Sequence, residues 1–484
     1  MGTATRSATG RPFFRVLGNT KMKLLAIFLI VSSILLLTFY SGKMSEITGA
    51  GLKDSNIPDE KDYWTWGTRT QFRNTPLKKN NKNQQSETTC DTFPSNVLSR
   101  VQIVLKTSAT ENASRVNTHL TSVTRCISNL LVVSDLETEV LGHKVYDILA
   151  DIPRSARQNI PEFSGYDALQ NGTRDIDGAA GWRLDRFKFL PMIERAKKVN
   201  PTAEWYVFLE TDTYFVWDNL FRMLEQFDPS VPLYMGSPAP GRGLEEGGVV
   251  WFAYGGSGFV LSRAAIDKLV AQDVGRYGQF VGPSISDQYL QMVTDDCCGD
   301  SVLGSALYDK GIKLSGLWPM FNAHPLDSIP FGNEHHWCQP VISMHKSLLG
   351  DMDGLAKWEN GRNRTDPLLY ADLINYHQVG DLSEKKGWDN GDWGGVIEVP
   401  DDLPQHQSLE ACRQACHEKD WCMAFTYDNK GACVFQRSMR FGSSKPDFID
   451  QFTAGWDNEK IKKWRALNQC ESPQWMKPSL TRIF

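Results

Sequence analysis

No basic tract runs through this chain, no internal repeat is detectable, and the net charge is only -5 over 484 residues. Nucleic-acid binding by bulk electrostatics needs a concentrated positive stripe, so that class is set aside. Long charge-free apolar runs are equally scarce, and the longest is Leu24 to Tyr40, LLAIFLIVSSILLLTFY, 17 residues. As a helix it would extend about 26 Å, close to a thin early-secretory bilayer. It lacks a following A-x-A-like cleavage site and exceeds the apolar core of a signal peptide, so an uncleaved anchor over 24–40 is expected. Arg6, Arg11, Arg15, Lys21 and Lys23 precede it, whereas Lys43 stands against Glu46 after it. The positive-inside rule then predicts a cytosolic tail over 1–23 and a lumenal remainder, a single-pass type II membrane protein.

What is present agrees with a lumen. Ten cysteines can oxidise there, and sequons stand at Asn112, Asn171 and Asn363. From Ser41 to about Pro94 the chain is polar, Asn- and Lys-rich and without a sustained period, so 41–95 reads as a stem in which Trp64 and Trp66 stand alone. At Val101 the character changes. VQIVLKT and LLVVSD are compact β-rich runs separated by a helical stretch through Leu120 to Leu130, and WYVFL at Trp205 to Leu209 follows the helix-like WRLDRFKFLPMIERAKKV. Strand, helix and strand in alternation predict an α/β sheet over 96–350, with ligands beyond the carboxyl ends of its strands. A linker is expected over 351–395 and a small second domain over 396–475. Five cysteines fall between Ser408 and Cys470, as in modules too small to hold a core without disulfides.

WYVFL runs directly into Glu210-Thr211-Asp212-Thr213-Tyr214. Carboxylates at i and i+2 on extended backbone project to one side. Hard oxygen ligands suit Mg²⁺ or Mn²⁺, which also grip a diphosphate. Alone, the same E-x-D is what a solvated acidic turn looks like. Asp185 and Lys188, an i, i+3 pair, predict a solvated helix face and are left outside the site. His335 and His336 near Cys338 match no common zinc spacing.

Six motifs follow one another: VLKTSAT at 104–110, VVSD ending at Asp135, WYVFLETDTYF, YGGSGFVLSR at 254–263, TDDC at 294–297 and ISMHK at 342–346. In this order they resemble the two nucleotide-binding strands, the D-x-D strand, the Gly-Gly-x-Gly segment, the acidic pair before a cysteine and the late metal-binding histidine of glycosyltransferase family 31. The likeness is to its Fringe-like and core 1 β1,3-galactosyltransferase-like members. It implies a GT-A-like catalytic domain that moves a hexose or N-acetylhexosamine from a UDP-sugar to a glycan hydroxyl, with inversion. UDP-galactose stands ahead of UDP-N-acetylglucosamine, and a β1,3 linkage on glycoprotein O-glycans ahead of N-glycan branches and glycolipids.

By the same resemblance, Asp212 and His345, with Glu210, would hold Mn²⁺ or another divalent cation. Thr107 and Asp135 would contact uridine, and Glu210, Thr211, Asp212, Gly255, Gly256 and Gly258 would line the nucleotide-sugar. Asp296 would be the general base, with Asp295 as second choice. Glu210 departs from the family, which usually has Asp. One extra methylene moves the carboxylate by about 1.5 Å, so Asp212 is the firmer ligand and a silent lectin-like or scaffold protein is the alternative. A Golgi membrane is the expected address.

In the last domain, SLEACRQACHEKDWCMAFTYDNKGACVF carries Cys412 and Cys416 one helical turn apart, with Cys422 and Cys433 flanking a strand-like MAFTY. Sequence alone permits three pairings of these four. The pattern resembles the PAN/apple domain, and the resemblance implies Cys412 with Cys433 and Cys416 with Cys422. It also implies a unit that can bind protein or carbohydrate.

Overall fold

The computed structural model describes residues 90–480, except 91–92, 94, 174–177, 246, 278, 333–334, 363 and 393. No helix among the described residues is long and apolar enough to cross a membrane, and the expected anchor, 24–40, lies outside them, as do most of the stem and Asn363.

The chain folds around an eight-stranded mixed sheet. Its spatial order is Leu314–Gly316, Tyr234–Gly236, Phe259–Ser262, Trp205–Glu210, Val101–Lys106, Leu130–Ser134, His143–Asp147 and Thr138–Val140. Val101–Lys106 pairs in parallel with Leu130–Ser134 on one side and Trp205–Glu210 on the other, in a register that sets Lys106 opposite Glu210. Phe259–Ser262 runs antiparallel to Trp205–Glu210.

Period-2 alternation sorts side chains onto two faces. Ile103, Leu105, Val207 and Leu209 pack with Val116, Leu120 and Leu220 on one. Val104, Tyr206 and Phe208 pack with Phe187, Phe189, Leu190, Val302 and Leu303 on the other. By parity, Lys106 and Glu210 end their strands on the second face, where the Lys106 ammonium lies 4.6 Å from the Phe189 ring centroid.

The helix expected through Leu120 to Leu130 sits earlier, at Ala113–Thr121. Its Asn112 cap accepts from Ser114 N–H, and Ser122 leaves helical geometry at φ -120°, ψ -78°. The chain then turns through Cys126, which is bonded to Cys90. WRLDRFKFLPMIERAKKV is a helix ending at Asp185, a tight turn over Arg186–Lys188 and a helix Phe189–Val199, with Pro191 tolerated in the first turn.

Where a linker is expected over 351–395, the chain forms helices Leu349–Asn360, which starts just before it, and Tyr370–Tyr376, whose Met352, Leu355, Leu373 and Ile374 join the main core. A five-stranded antiparallel sheet follows, in the order Glu384–Lys386, Phe452–Trp456, Ala424–Asp428, Ala432–Gln436 and Val396–Ile397. Helix Leu409–Glu418 is stapled to it through Cys412–Cys433 and Cys416–Cys422. Cys338 is bonded to Cys470, which removes it from any zinc set with its neighbouring histidines.

Candidate active site

The strand Trp205–Glu210 delivers the acidic motif to the carboxyl end of the sheet, and pairing does the rest. Ser343–Met344 runs antiparallel to Tyr214–Phe215, Ser343 opposite Phe215 and Met344 opposite Tyr214. One residue further on, His345 arrives beside Asp212. The meeting is pinned by backbone bonds from Ser347 N–H to the Asp212 carbonyl (2.9 Å) and from His345 N–H to the Asn322 carbonyl (3.1 Å). His345 Nε2 lies 3.3 Å from Asp212 Oδ1. Glu210, Asp212 and His345 bring ligand atoms within 4.8 Å of one another. His345 Nδ1 is buried without a hydrogen-bond partner, and Asp212 Oδ1 is buried with only the His345 imidazole beside it. Such polar atoms are costly to leave unsatisfied, and two carboxylates with an imidazole are a donor set for a divalent cation.

Glycine makes the approach possible. A Cβ on Gly256 would overlap the His345 ring, and one on Gly255 would lie 2.8 Å from the Phe189 ring and 3.2 Å from Asp300 Oδ2. Gly258 turns the chain at φ +73°. The Gly256 carbonyl accepts from the Thr213 hydroxyl (2.7 Å) and the Ser257 carbonyl from the Ser343 hydroxyl (2.5 Å), so the glycine turn is tied to the segments that carry Asp212 and His345.

Beneath the candidate ligands lies a chain of opposite charges. Lys106 pairs with Asp185 and, at 3.0 Å, with Glu210. Lys188, fully buried, stands 3.2 Å from Asp135 and 3.5 Å from Asp185 and donates to the Thr107 carbonyl at 2.9 Å. The solvated face expected for Asp185 and Lys188 is therefore corrected: the helix turns them under the sheet edge, where each neutralises a buried partner. Burial tends to push Asp135 and Asp185 upward, yet the adjacent lysines hold both below the ordinary carboxylate range. Burial likewise opposes ionisation of Asp212, and His345 and Arg115 outweigh it. For Glu210 burial wins, helped by Asp185 and Asp212, and its pKa is raised despite Lys106.

Asp135 has no exposed surface. Its oxygens are taken by Lys188, the Ala109 N–H (2.7 Å), and the Ser134 and Ser108 hydroxyls. A uridine contact through its side chain is corrected on that ground; Asp135 shapes the loop after the first strand. Thr107 donates to Glu111 at 2.8 Å, and Thr211 donates to the same carboxylate. Glu111 thus clamps the first and third strand ends, and Arg115, 3.7 Å from Asp212, joins it. Neither was singled out in the sequence, where both look like ordinary surface charges of a helix start.

The acidic pair is divided. Asp295 is exposed and accepts from Gln291 at 3.0 Å. Asp296 is held by Arg242 at 3.0 Å and by the Cys298 N–H at 3.1 Å. The carboxylate that faces the glycine turn is Asp300, which starts the helix Gly299–Asp309 and accepts from Gly255 N–H at 2.8 Å. It is 8% exposed, and burial raises its pKa against the pull of the Gly255 and Ser301 N–H groups. Gly255 and Gly256 are consecutive, so Asp300 and His345 flank one dipeptide. A reader of the sequence could find Asp300 only by asking which acid opens a helix rather than which acids stand together.

A Fringe-like family model matches residues 183–317, the stretch that carries Glu210, Asp212, the glycine turn and Asp300, and a PAN domain model matches 396–454. The chain carries a Fringe-like segment and a PAN domain. It is 32% identical over 96 residues to the Fringe glycosyltransferase of Drosophila melanogaster, an overlap of 18% of this chain. The chain spans 22% of that relative's length. Thr107, Asp135 and His345 lie outside the Fringe-like match; pairing with the Trp205–Glu210 and Tyr214–Phe215 segments is what brings their neighbourhoods to it.

Proposed function

We propose that this chain is a glycosyltransferase of the secretory pathway, anchored in the Golgi membrane with its catalytic domain in the lumen. It would pass a sugar from a UDP-sugar, with galactose ahead of N-acetylglucosamine, to a hydroxyl of a glycoprotein or glycolipid glycan, with a β1,3 linkage first in line. The supporting observation is the convergence of Asp212, His345 and Glu210 at the carboxyl end of the sheet, inside and beside the Fringe-like segment.

Asp212 and His345 are the residues to hold Mn²⁺ or another divalent cation, with Glu210 shared between that role and Lys106. Bound there, the cation would supply charge neutralisation for a diphosphate leaving group. Asp300, which meets the glycine turn through the Gly255 N–H, is taken as the base, with Asp296, held by Arg242 and the Cys298 N–H, as the alternative. A carboxylate of raised pKa accepts a hydroxyl proton near neutral pH more readily than an ordinary one. Lys106 and Lys188 keep the motif's own charge compensated, and Glu111 fixes Thr107 and Thr211.

The test is UDP release by the full chain in detergent, across several UDP-sugars, with Mn²⁺ or with EDTA, beside Asp212→Asn and Asp300→Asn. Metal-dependent turnover that both substitutions lower by at least about a hundredfold is expected. An Asp300→Asn variant of wild-type rate returns the base to Asp296. No turnover of any UDP-sugar, with glycan binding intact, leaves the silent lectin-like reading.

A further inference from the structure

A cleft of about 320 Å³ opens where the Fringe-like part meets the PAN module. Tyr254, Asp327 and Lys346 line it from one side, and Arg440 and Ser443 of the PAN match, with Asn390 and Asp392 just ahead of it in sequence, from the other. It begins at the catalytic cluster. Tyr254 immediately precedes the Gly255-Gly256 turn, its ring meets the His345 imidazole edge to face at 5.3 Å, and Lys346 is the next residue after His345.

The two walls are fixed with respect to each other. Gly442 N–H donates to the Asp327 carbonyl at 2.8 Å and Met439 N–H to the Phe331 carbonyl at 2.9 Å. The His377 and Phe441 rings stack at 3.9 Å, and the Cys338–Cys470 bridge crosses the same boundary. Ala424 and Trp456 of the second sheet, Met439 beyond its strand Ala432–Gln436 and Ile461 of the helix Asn458–Leu467 belong to the core that also holds Met344 and Ile374. A cleft between such parts is preformed rather than assembled on binding.

The lining decides the ligand class. Asp327, Asp389 and Asp392 share the lining with Arg440 and Lys346, and Lys445 pairs with Asp389 and Asp392, so the cleft has no surplus of either sign to select a charged ligand. Its apolar side chains are Ala323, Pro325 and the Tyr254 ring, with no leucine, isoleucine, valine or phenylalanine among them to take a lipid tail. The exposed Asp392 carboxylate accepts, the Ser443 hydroxyl does both and the exposed Lys346 donates, a set that suits a neutral ligand with many hydroxyls, and Tyr254 offers a ring face. The volume falls within the range of small-molecule sites, about 300–1,000 Å³.

We propose that this cleft is the acceptor subsite, taking a neutral hexose or N-acetylhexosamine unit of the acceptor glycan, with the PAN module supplying one wall. The inference rests on the glycosyltransferase reading and goes beyond it by assigning the second domain a place in substrate recognition.

The experiment uses the full chain in detergent and two variants, Ser443→Trp, which fills the cleft, and Asp392→Asn, isosteric and at an exposed position. Hydrolysis of the UDP-sugar without acceptor is measured beside transfer to a panel of p-nitrophenyl hexosides and N-acetylhexosaminides. Ser443→Trp is expected to raise the acceptor KM at least about tenfold and Asp392→Asn about threefold, with donor KM and hydrolysis unchanged. Wild-type acceptor KM in both variants overturns the proposal. Should Ser443→Trp lose donor hydrolysis as well, Asp392→Asn alone decides. Should the wild type turn over no UDP-sugar, the glycosyltransferase reading fails separately and saturation-transfer NMR with the same glycosides decides the cleft. Glycoside binding by the wild type that Asp392→Asn weakens supports it, and no binding, or equal binding by both, overturns it.

Discussion

Gly256→Ala isolates the demand that the His345 ring places on the glycine turn. Gly256 has no positive φ, so alanine fits its backbone and the only cost is steric. The new methyl would overlap Cε1 and Nε2 of His345 and lie 2.8 Å from Cδ2. To reach ordinary contact at about 3.5–4.0 Å, ring and methyl must separate by about 1 Å. The turn cannot take up that movement, because the Gly256 carbonyl is bound to Thr213 and Gly255 N–H to Asp300. His345 must therefore move away from Asp212, now 3.3 Å from its Nε2. Ligand distances tolerate about 0.2 Å, so a 1 Å displacement removes the imidazole from a shared coordination sphere. Mn²⁺ affinity should fall about 10- to 100-fold. Stability should change far less, since the ring can rotate toward Tyr254. The assay is Mn²⁺ titration of the full chain by electron paramagnetic resonance, with circular dichroism and a melting curve as controls for fold. Wild-type Mn²⁺ affinity in a folded Gly256→Ala protein refutes the reasoning and removes His345 from the ligand set.

Two further perturbations address the charges beneath the site and a buried ring. Lys106→Met leaves Asp185 and Glu210 without their shared partner at a position only 5% exposed, so stability in EDTA should fall by about 3–5 kcal/mol by urea titration; a change below about 1 kcal/mol would mean that Lys188 compensates both. His377, stacked on Phe441, has its pKa lowered to about 3 by burial and then by Lys385. The folded chain keeps it neutral while the unfolded chain protonates it near pH 6.5, so stability is lost as pH falls below about 6.5 and the loss continues toward pH 3. His377→Phe should escape that loss, and below about pH 6 the wild type should lose about 1.4 kcal/mol per pH unit more than the variant. Parallel melting curves for the two proteins between pH 7.5 and 5 would sink this account.

Period-2 alternation and abrupt acidic ends made the strands Val101–Lys106, Leu130–Ser134 and Trp205–Glu210 legible, because an apolar run flanked by polar turns has few ways to be buried. Asp212 followed from its strand, and His345 from motif order. What stayed hidden depends on distances that no local pattern encodes. Asp185 and Lys188 satisfy the rule for a surface pair equally well, and only packing of the Arg186–Lys188 turn under the first strand tells burial from exposure. Asp295 and Asp296 stand together in sequence but diverge in space, because a helix ends at Asp295 and Asp296 has already returned to extended backbone. Asp300 stands alone in sequence, and its role depends on where the Gly299–Asp309 helix points. Residues 351–395 look like a linker for a related reason: helices Leu349–Asn360 and Tyr370–Tyr376 contain enough polar residues to look loose, yet each buries a narrow stripe.

Charge accounting ties Glu210 to the rest of the site. Asp135, Asp185, Glu210 and Asp212 bring four carboxylates to the sheet edge, and Lys106 and Lys188 bring two ammonium groups. Glu111 and Arg115 cancel each other beside them. With Asp300 set aside, two negative charges are left over, and they sit where Glu210 and Asp212 converge with His345, whose Nδ1 has no hydrogen-bond partner. A surplus of this size in a partly desolvated place is expensive for the protein alone and matched by one divalent cation. Glu210 in place of the aspartate of the D-x-D motif that it resembles does not alter that balance. It lengthens the arm by one methylene, which lets the same carboxylate reach Lys106 while remaining within the candidate ligand group.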